Sequence, residues 1–258
     1  MQPHDGFGAH AGADAPARGA RPEPAARNVD HVAPSPSFGA TDPAGGPRLY
    51  PAFLRLAEAL VVVVGGGAVA ARKVALLLPC QPTLRVVAPQ LCPALRDLAD
   101  RSEITWVARP YERGDLAGAL LAFAATDDPA TNRAVWSEAR RRRIWVNVAD
   151  DPARCTFTVP AVLQRGGLAV AVSSGSASPA LAGLVRDVLA QAVGPEYGTL
   201  AMLMGEVRQQ AQRRYADRAR REQALRGAVA EDVLAAVRRG DLDAARARLA
   251  ELVAGEDE

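Results

Sequence analysis

The sequence predicts an α/β fold built on a parallel sheet, and three observations carry that expectation. Leu60-Val61-Val62-Val63-Val64 is an apolar run without polar alternation, the pattern of a strand buried on both faces. Gly65-Gly66-Gly67 follows it directly. Val69, Ala70, Val74, Leu77 and Leu78 then recur at three- and four-residue intervals, which predicts a helix over 68–78.

In this strand–turn–helix setting Gly65, Gly67 and Ala70 fill a G-x-G-x-x-A pattern, so the sheet is expected to be of the Rossmann type. The first glycine permits the tight turn. The second lets backbone approach a pyrophosphate, and the small third residue lets helix pack close to strand. The helix N-terminus offers free N–H groups and the positive end of its dipole to phosphates. A tight turn without a ligand would use the same glycines, but the context favours a dinucleotide.

Bulk composition narrows the field. Apolar residues make up 49% of the 258 residues and charged residues 23%, as in ordinary globular proteins. A net charge of +2 gives no argument for nucleic acid. No apolar run reaches the length of a membrane span and no secretory signal is apparent, so no membrane partner and a cytoplasmic location are expected. Cys80, Cys92 and Cys155 are scattered without a C-x-x-C pair, and no metal site is expected. His4, His10 and His31 all lie near the N-terminus, so acid–base chemistry in the folded part falls to Asp, Glu, Lys, Tyr or Cys. Lys73 is the only lysine, and the Arg-rich composition reads as a genomic bias.

Residues 1–47 are rich in Gly, Ala and Pro without periodicity and are expected to be a disordered tail. Order is expected to start at Leu49–Leu54, a short apolar segment suited to the sheet edge or to a cover over the cleft. Thr83–Ala88 reads as the second strand. It ends in Pro89-Gln90 without the carboxylate that often holds an adenosine ribose, which leaves NAD against NADP open. Leu91–Ala99 is helical, Ile104–Val107 a third strand, Asp115–Leu120 a brief helical turn and Leu121–Ala125 a fourth strand. Thr126-Asp127-Asp128-Pro129 opens a helix to Arg143, with Asp127 or Asp128 as N-cap and Pro129 in the first turn. The four arginines closing that helix suit its negative end better than an anionic ligand. Ile144–Ala149 is a fifth strand, which leaves Asp150 as the carboxylate best placed at the carboxyl edge of the sheet.

The pattern then changes. Phe157–Val162 and Leu168–Val172 read as a hairpin joined through Gln164-Arg165-Gly166-Gly167. Ser178 and Pro179 start a helix to about Val193. Beyond Glu196 three apolar stripes follow: Leu200/Leu203/Met204/Val207, Val229/Val233/Leu234/Val237 and Ala244/Ala245/Leu249/Leu252. They predict helical hairpins, with a dimer interface as one use for them.

Val64–Lys73, Ala124–Asp128, Asn147–Asp150, Ala171–Gly175 and Ser178–Ala182, in this order and spacing, resemble the precorrin-2 dehydrogenase / sirohydrochlorin ferrochelatase family, the N-terminal module of siroheme synthases. The resemblance covers about residues 48–210. It implies an NAD-binding Rossmann-type domain over 48–152, a hairpin-and-helix dimerisation domain over 153–195 and a helical region over 196–258. It also implies NAD-dependent oxidation of precorrin-2 to sirohydrochlorin, with ferrous iron as a further substrate in some members, and a homodimer. On the motif positions it implies Asp150 as the catalytic residue. NAD contacts fall on Gly65, Gly66, Gly67, Ala68, Val69, Pro89, Gln90, Thr126 and Asp127, and the tetrapyrrole site on Asn147 and Ser174. The methyltransferase module of the three-activity relatives is not expected in this chain. Two other readings compete: an NAD(H)-binding regulatory module without catalysis, and a small-substrate oxidoreductase, which lacks its usual histidine or Tyr-x-x-x-Lys pair here.

Overall fold

The computed structural model describes residues 49–175 and 177–254. The expected tail over 1–47 and its three histidines lie outside these residues.

Five strands form one parallel sheet: β1 (Leu60–Val64), β2 (Thr83–Val87), β3 (Thr105–Val107), β4 (Leu121–Ala124) and β5 (Trp145–Val148), in the order β3-β2-β1-β4-β5. Three helices cover it: α1 (Ala68–Leu77), α2 (Pro93–Asp100) and α3 (Pro129–Arg142). The valine run of β1 explains the layering. Val61 and Val63 face one core with Phe123, Ala70, Val74 and Leu95, whereas Val62 and Val64 face the other with Ala124, Val135 and Ala139. A strand buried on both faces has no polar side to show. The strand order changes direction at β1, so the crevice beyond the carboxyl ends of β1 and β4 is the switch point where such sheets take ligands.

Several expectations are corrected at their edges. The brief helical turn expected over Asp115–Leu120 is a run of i→i+3 turns that starts earlier, over residues 112–119, and Leu116 plugs the second core from it. The first hairpin strand is β6 (Ala161–Arg165), not Phe157–Val162; it pairs antiparallel with β7 (Leu168–Val172). Phe157 and Val159 pack instead on the first core. The turn is only Gly166-Gly167, with Gly166 in the left-handed region at φ 53°, as tight hairpins favour. Leu49, Tyr50, Phe53 and Leu54 are exposed and form no strand, and Leu56 is the first residue to enter the core.

Helix α4 (Pro179–Ala192) lies against both hairpin strands. Then α5 (Glu196–Arg214), α6 (Arg218–Gly227), α7 (Glu231–Arg238) and α8 (Leu242–Ala254) share a third core around Leu203, Val207, Val233, Val237, Ala245 and Leu249. The stripes are therefore packing faces, except that Val229 and Ala244 are exposed and Val253 is buried. No helix among the described residues is long and apolar enough to cross a membrane.

The arginine-rich end of α3 serves the helix itself. Arg142 Nε donates to Glu138 Oε1 at 2.6 Å, and Arg141 donates to Ser137 Oγ. Glu138 is buried and also accepts from Tyr111 Oη at 2.5 Å and from the Gly114 N–H at 2.8 Å. Burial opposes its ionisation, but these three donors outweigh it and hold its carboxyl below the usual glutamate range. A depressed carboxyl contributes stability above its unfolded pKa, and that stability is lost as pH falls through the folded value. Glu138→Ala is expected to cost about 3 kcal/mol in urea unfolding at neutral pH. The difference from wild type should shrink as the pH is lowered.

Candidate active site

Backbone proximity shapes the glycine loop. Gly65, at φ 127°, donates its N–H to Val87 O at 3.0 Å, and a Cβ there would lie 2.2 Å from Ala125 O. A Cβ on Gly66 would lie 1.9 Å from Gln90 O, while Gly66 O accepts from the Cys92 N–H at 2.8 Å. The loop is thus clamped between the segments leaving β2 and β4. Gly67 differs, because a Cβ there would meet nothing within 4 Å. It is the N-cap of α1, no side chain caps that end and no acidic residue stands in the first turn. Gly67 and Ala68 are exposed. A bare helix N-terminus beside open space fits the diphosphate of a dinucleotide.

The other expected cofactor residues gather at the same edge. Pro89 and Gln90 are exposed on the segment pressed against Gly66. Thr126 follows β4, with its hydroxyl and N–H both held by Asn132 Oδ1. Asp127 is exposed, and Asp128 is the N-cap of α3, accepting from the Ala130 and Thr131 N–H groups at 3.0 and 2.9 Å. Capping therefore falls to Asp128 and leaves Asp127 facing solvent.

Beyond β5, Asp150 is exposed and left-handed at φ 57°. Asp151 pairs with Arg154, whereas Asp150 has no hydrogen bond or ion pair among the described residues. The loop that presents it is pinned from behind. Cys155 Sγ accepts from the Val148 N–H at 3.2 Å, and burial pushes its thiol pKa up, so it is a strut rather than a nucleophile. Asn147 is buried and its Nδ2 donates to Phe157 O at 3.2 Å, while the Phe157 ring meets Phe123 edge-on at 5.4 Å.

Ser174 stands on a different element, the loop from β7 to α4. Its Oγ donates to Ser178 O at 2.8 Å and accepts from the Ser178 N–H at 3.0 Å. Ser178 caps α4 by accepting from the Leu181 N–H at 3.1 Å. No hydrogen bond among the described residues joins this loop to Asp150 or to the glycine loop.

Lys73 was passed over in the sequence. Its Nζ lies 6.0 Å from the centre of the Phe123 ring, and it interacts electrostatically with Cys155 and Asp150. Its standing as the chain's only lysine was the available signal.

The glycines separate fold from ligand. Gly66→Ala should lower stability by at least the roughly 3 kcal/mol of severe overpacking, since its obstacle is backbone. Gly67→Ala should cost about 1 kcal/mol or less in stability, yet weaken NAD about tenfold in a direct titration, a loss of about 1.4 kcal/mol.

Comparisons with known proteins fit this division. A family model described as "Putative NAD(P)-binding" matches residues 52–161, and one described as "Sirohaem synthase dimerisation region" matches 196–253. Siroheme synthase of Methylobacillus flagellatus is 38% identical over 212 residues, 81% of this chain and 44% of its own length. That of Chromobacterium violaceum is 42% identical over 211 residues, 80% of this chain and 44% of its own. The chain spans less than half the length of these curated relatives. A solved structure of SirC, a precorrin-2 dehydrogenase, superposes with a TM-score of 0.65 at 23% identity, covering 77% of this chain and all of that one, and so shares the fold. The chain thus joins an NAD(P)-binding match to a match with the sirohaem synthase dimerisation region, and over about four fifths of its length it is similar to siroheme synthases.

Proposed function

We propose that this chain oxidises precorrin-2 to sirohydrochlorin with NAD as oxidant. The observation that carries the reading is Asp150, an exposed carboxylate without a partner among the described residues, held on the same sheet edge as a bare dinucleotide-type glycine loop. NAD, when bound, takes the hydride that leaves the reduced macrocycle. The Gly65–Val69 turn holds its diphosphate, with Pro89, Gln90, Thr126 and Asp127 lining the same edge. Asp150 accepts the proton lost with the hydride, so two electrons and the proton are accounted for. Asn147 steadies Phe157, the half-buried ring beneath the tetrapyrrole, and the Ser174 loop borders that ligand. Inserting ferrous iron into the product would need pyrrole protons removed, and the same carboxylate would serve. The free cysteines suit a reducing compartment, and on that ground we assign the reaction to the cytoplasm.

We also infer a homodimer. Leu181, Leu184, Val185 and Val188 form an exposed apolar stripe along α4, and Val162 on β6 is exposed as well. Such a stripe is expected to be covered, and the matched dimerisation region follows it directly.

Asparagine tolerates left-handed backbone, so Asp150→Asn should fold normally and bind NAD as wild type does. Its oxidation rate at saturating cofactor should fall about a hundredfold or more, the usual contribution of a positioned base. Adding ferrous iron to the same assay reads the second reaction in the same variant. A variant that oxidises precorrin-2 at the wild-type rate would remove Asp150 from the mechanism.

A further inference from the structure

We infer that Lys73 is a substrate-anchoring residue, holding one peripheral carboxylate of the tetrapyrrole beside Asp150. The inference rests on the proposed substrate class, since precorrin-2 and sirohydrochlorin carry acetate and propionate side chains. Lys73 leaves α1 one residue before buried Val74 and brings its Nζ to 6.0 Å from the centre of the Phe123 ring, against which Phe157 packs edge-on. Its ammonium has neither a hydrogen bond nor a salt bridge among the described residues, and it keeps contact with solvent. Burial is the main influence lowering its pKa, Arg72 adds to this, and Cys155 and Asp150 oppose it. Cys155 is held as a neutral thiol, so Asp150 supplies the nearby negative charge without bridging to it.

A cation half withdrawn from water and left without a bridging carboxylate costs stability unless a ligand completes it. Elsewhere the chain uses arginine for every basic position. A slim ammonium on a flexible stem passes beside a buried ring where a planar guanidinium would crowd it. Half-buried Phe157, packed edge-on against buried Phe123, offers the macrocycle an apolar face, and Lys73 adds at its rim the charge that a carboxylate substituent requires.

The test uses Lys73→Met, which keeps an unbranched stem against Phe123, with Lys73→Gln as a second neutral variant should Met disturb folding. Sirohydrochlorin binding, followed by its own absorbance, should weaken about tenfold, and the KM for precorrin-2 should rise to match while kcat stays within about threefold. The affinity for NAD should not change. Wild-type binding should weaken with added salt more steeply than that of the variants, because a charge contact is screened and a packing contact is not. Unchanged sirohydrochlorin affinity in a folded variant, or an equal loss of NAD affinity, would overturn the role given to Lys73 while leaving the proposed reaction in place. A wild-type chain that neither binds sirohydrochlorin nor oxidises precorrin-2 would overturn both.

Discussion

The site depends on backbone meeting backbone at Gly65 and Gly66. Side chains there would drive into Ala125 O and Gln90 O, at 2.2 and 1.9 Å. Because the turn leaving β1 can sit this close to the segments leaving β2 and β4, three strand ends converge on one crevice. A Cβ on Gly67, unlike one on Gly65 or Gly66, would meet nothing within 4 Å, and Gly67 sits where α1 begins. Two glycines therefore build the fold and the third leaves room for what the fold holds.

Charge is arranged by a similar contrast. Most acidic groups near the sheet are already satisfied: Glu138 by Tyr111, Gly114 and Arg142; Asp115 by Arg109; Asp151 by Arg154; Asp128 by the start of α3. Asp150 and Lys73 carry no such bridge among the described residues, one exposed and one half-buried, within electrostatic reach of each other. Groups left unpaired in a protein that pairs so many others are the natural place for a ligand to make contact.

Much of this was legible in the sequence because the signals were local. The valine run, the glycine turn and the periodicity of α1 specify one another over a short span. Ser178 and Pro179 announced α4 by capping chemistry that needs only adjacent residues. Asp150 was found through topology, since parallel strands present their carboxyl ends to the cleft. What was missed depended on distant contacts. Phe157 and Val159 alternate like strand residues, yet the first core claims them and the hairpin begins later, at Ala161. Lys73 gave no local sign of its position; only the fold brings α1 over the Phe123 end of β4.

The central claim is that the nucleotide edge and Asp150 carry out one redox reaction rather than sense a nucleotide. The direct measurement is stoichiometric: supply the chain with precorrin-2 and NAD, and count reduced nucleotide against sirohydrochlorin over one turnover. The account predicts one NADH for each sirohydrochlorin formed. NAD that binds but stays oxidised while precorrin-2 persists would contradict it and leave a binding module without chemistry.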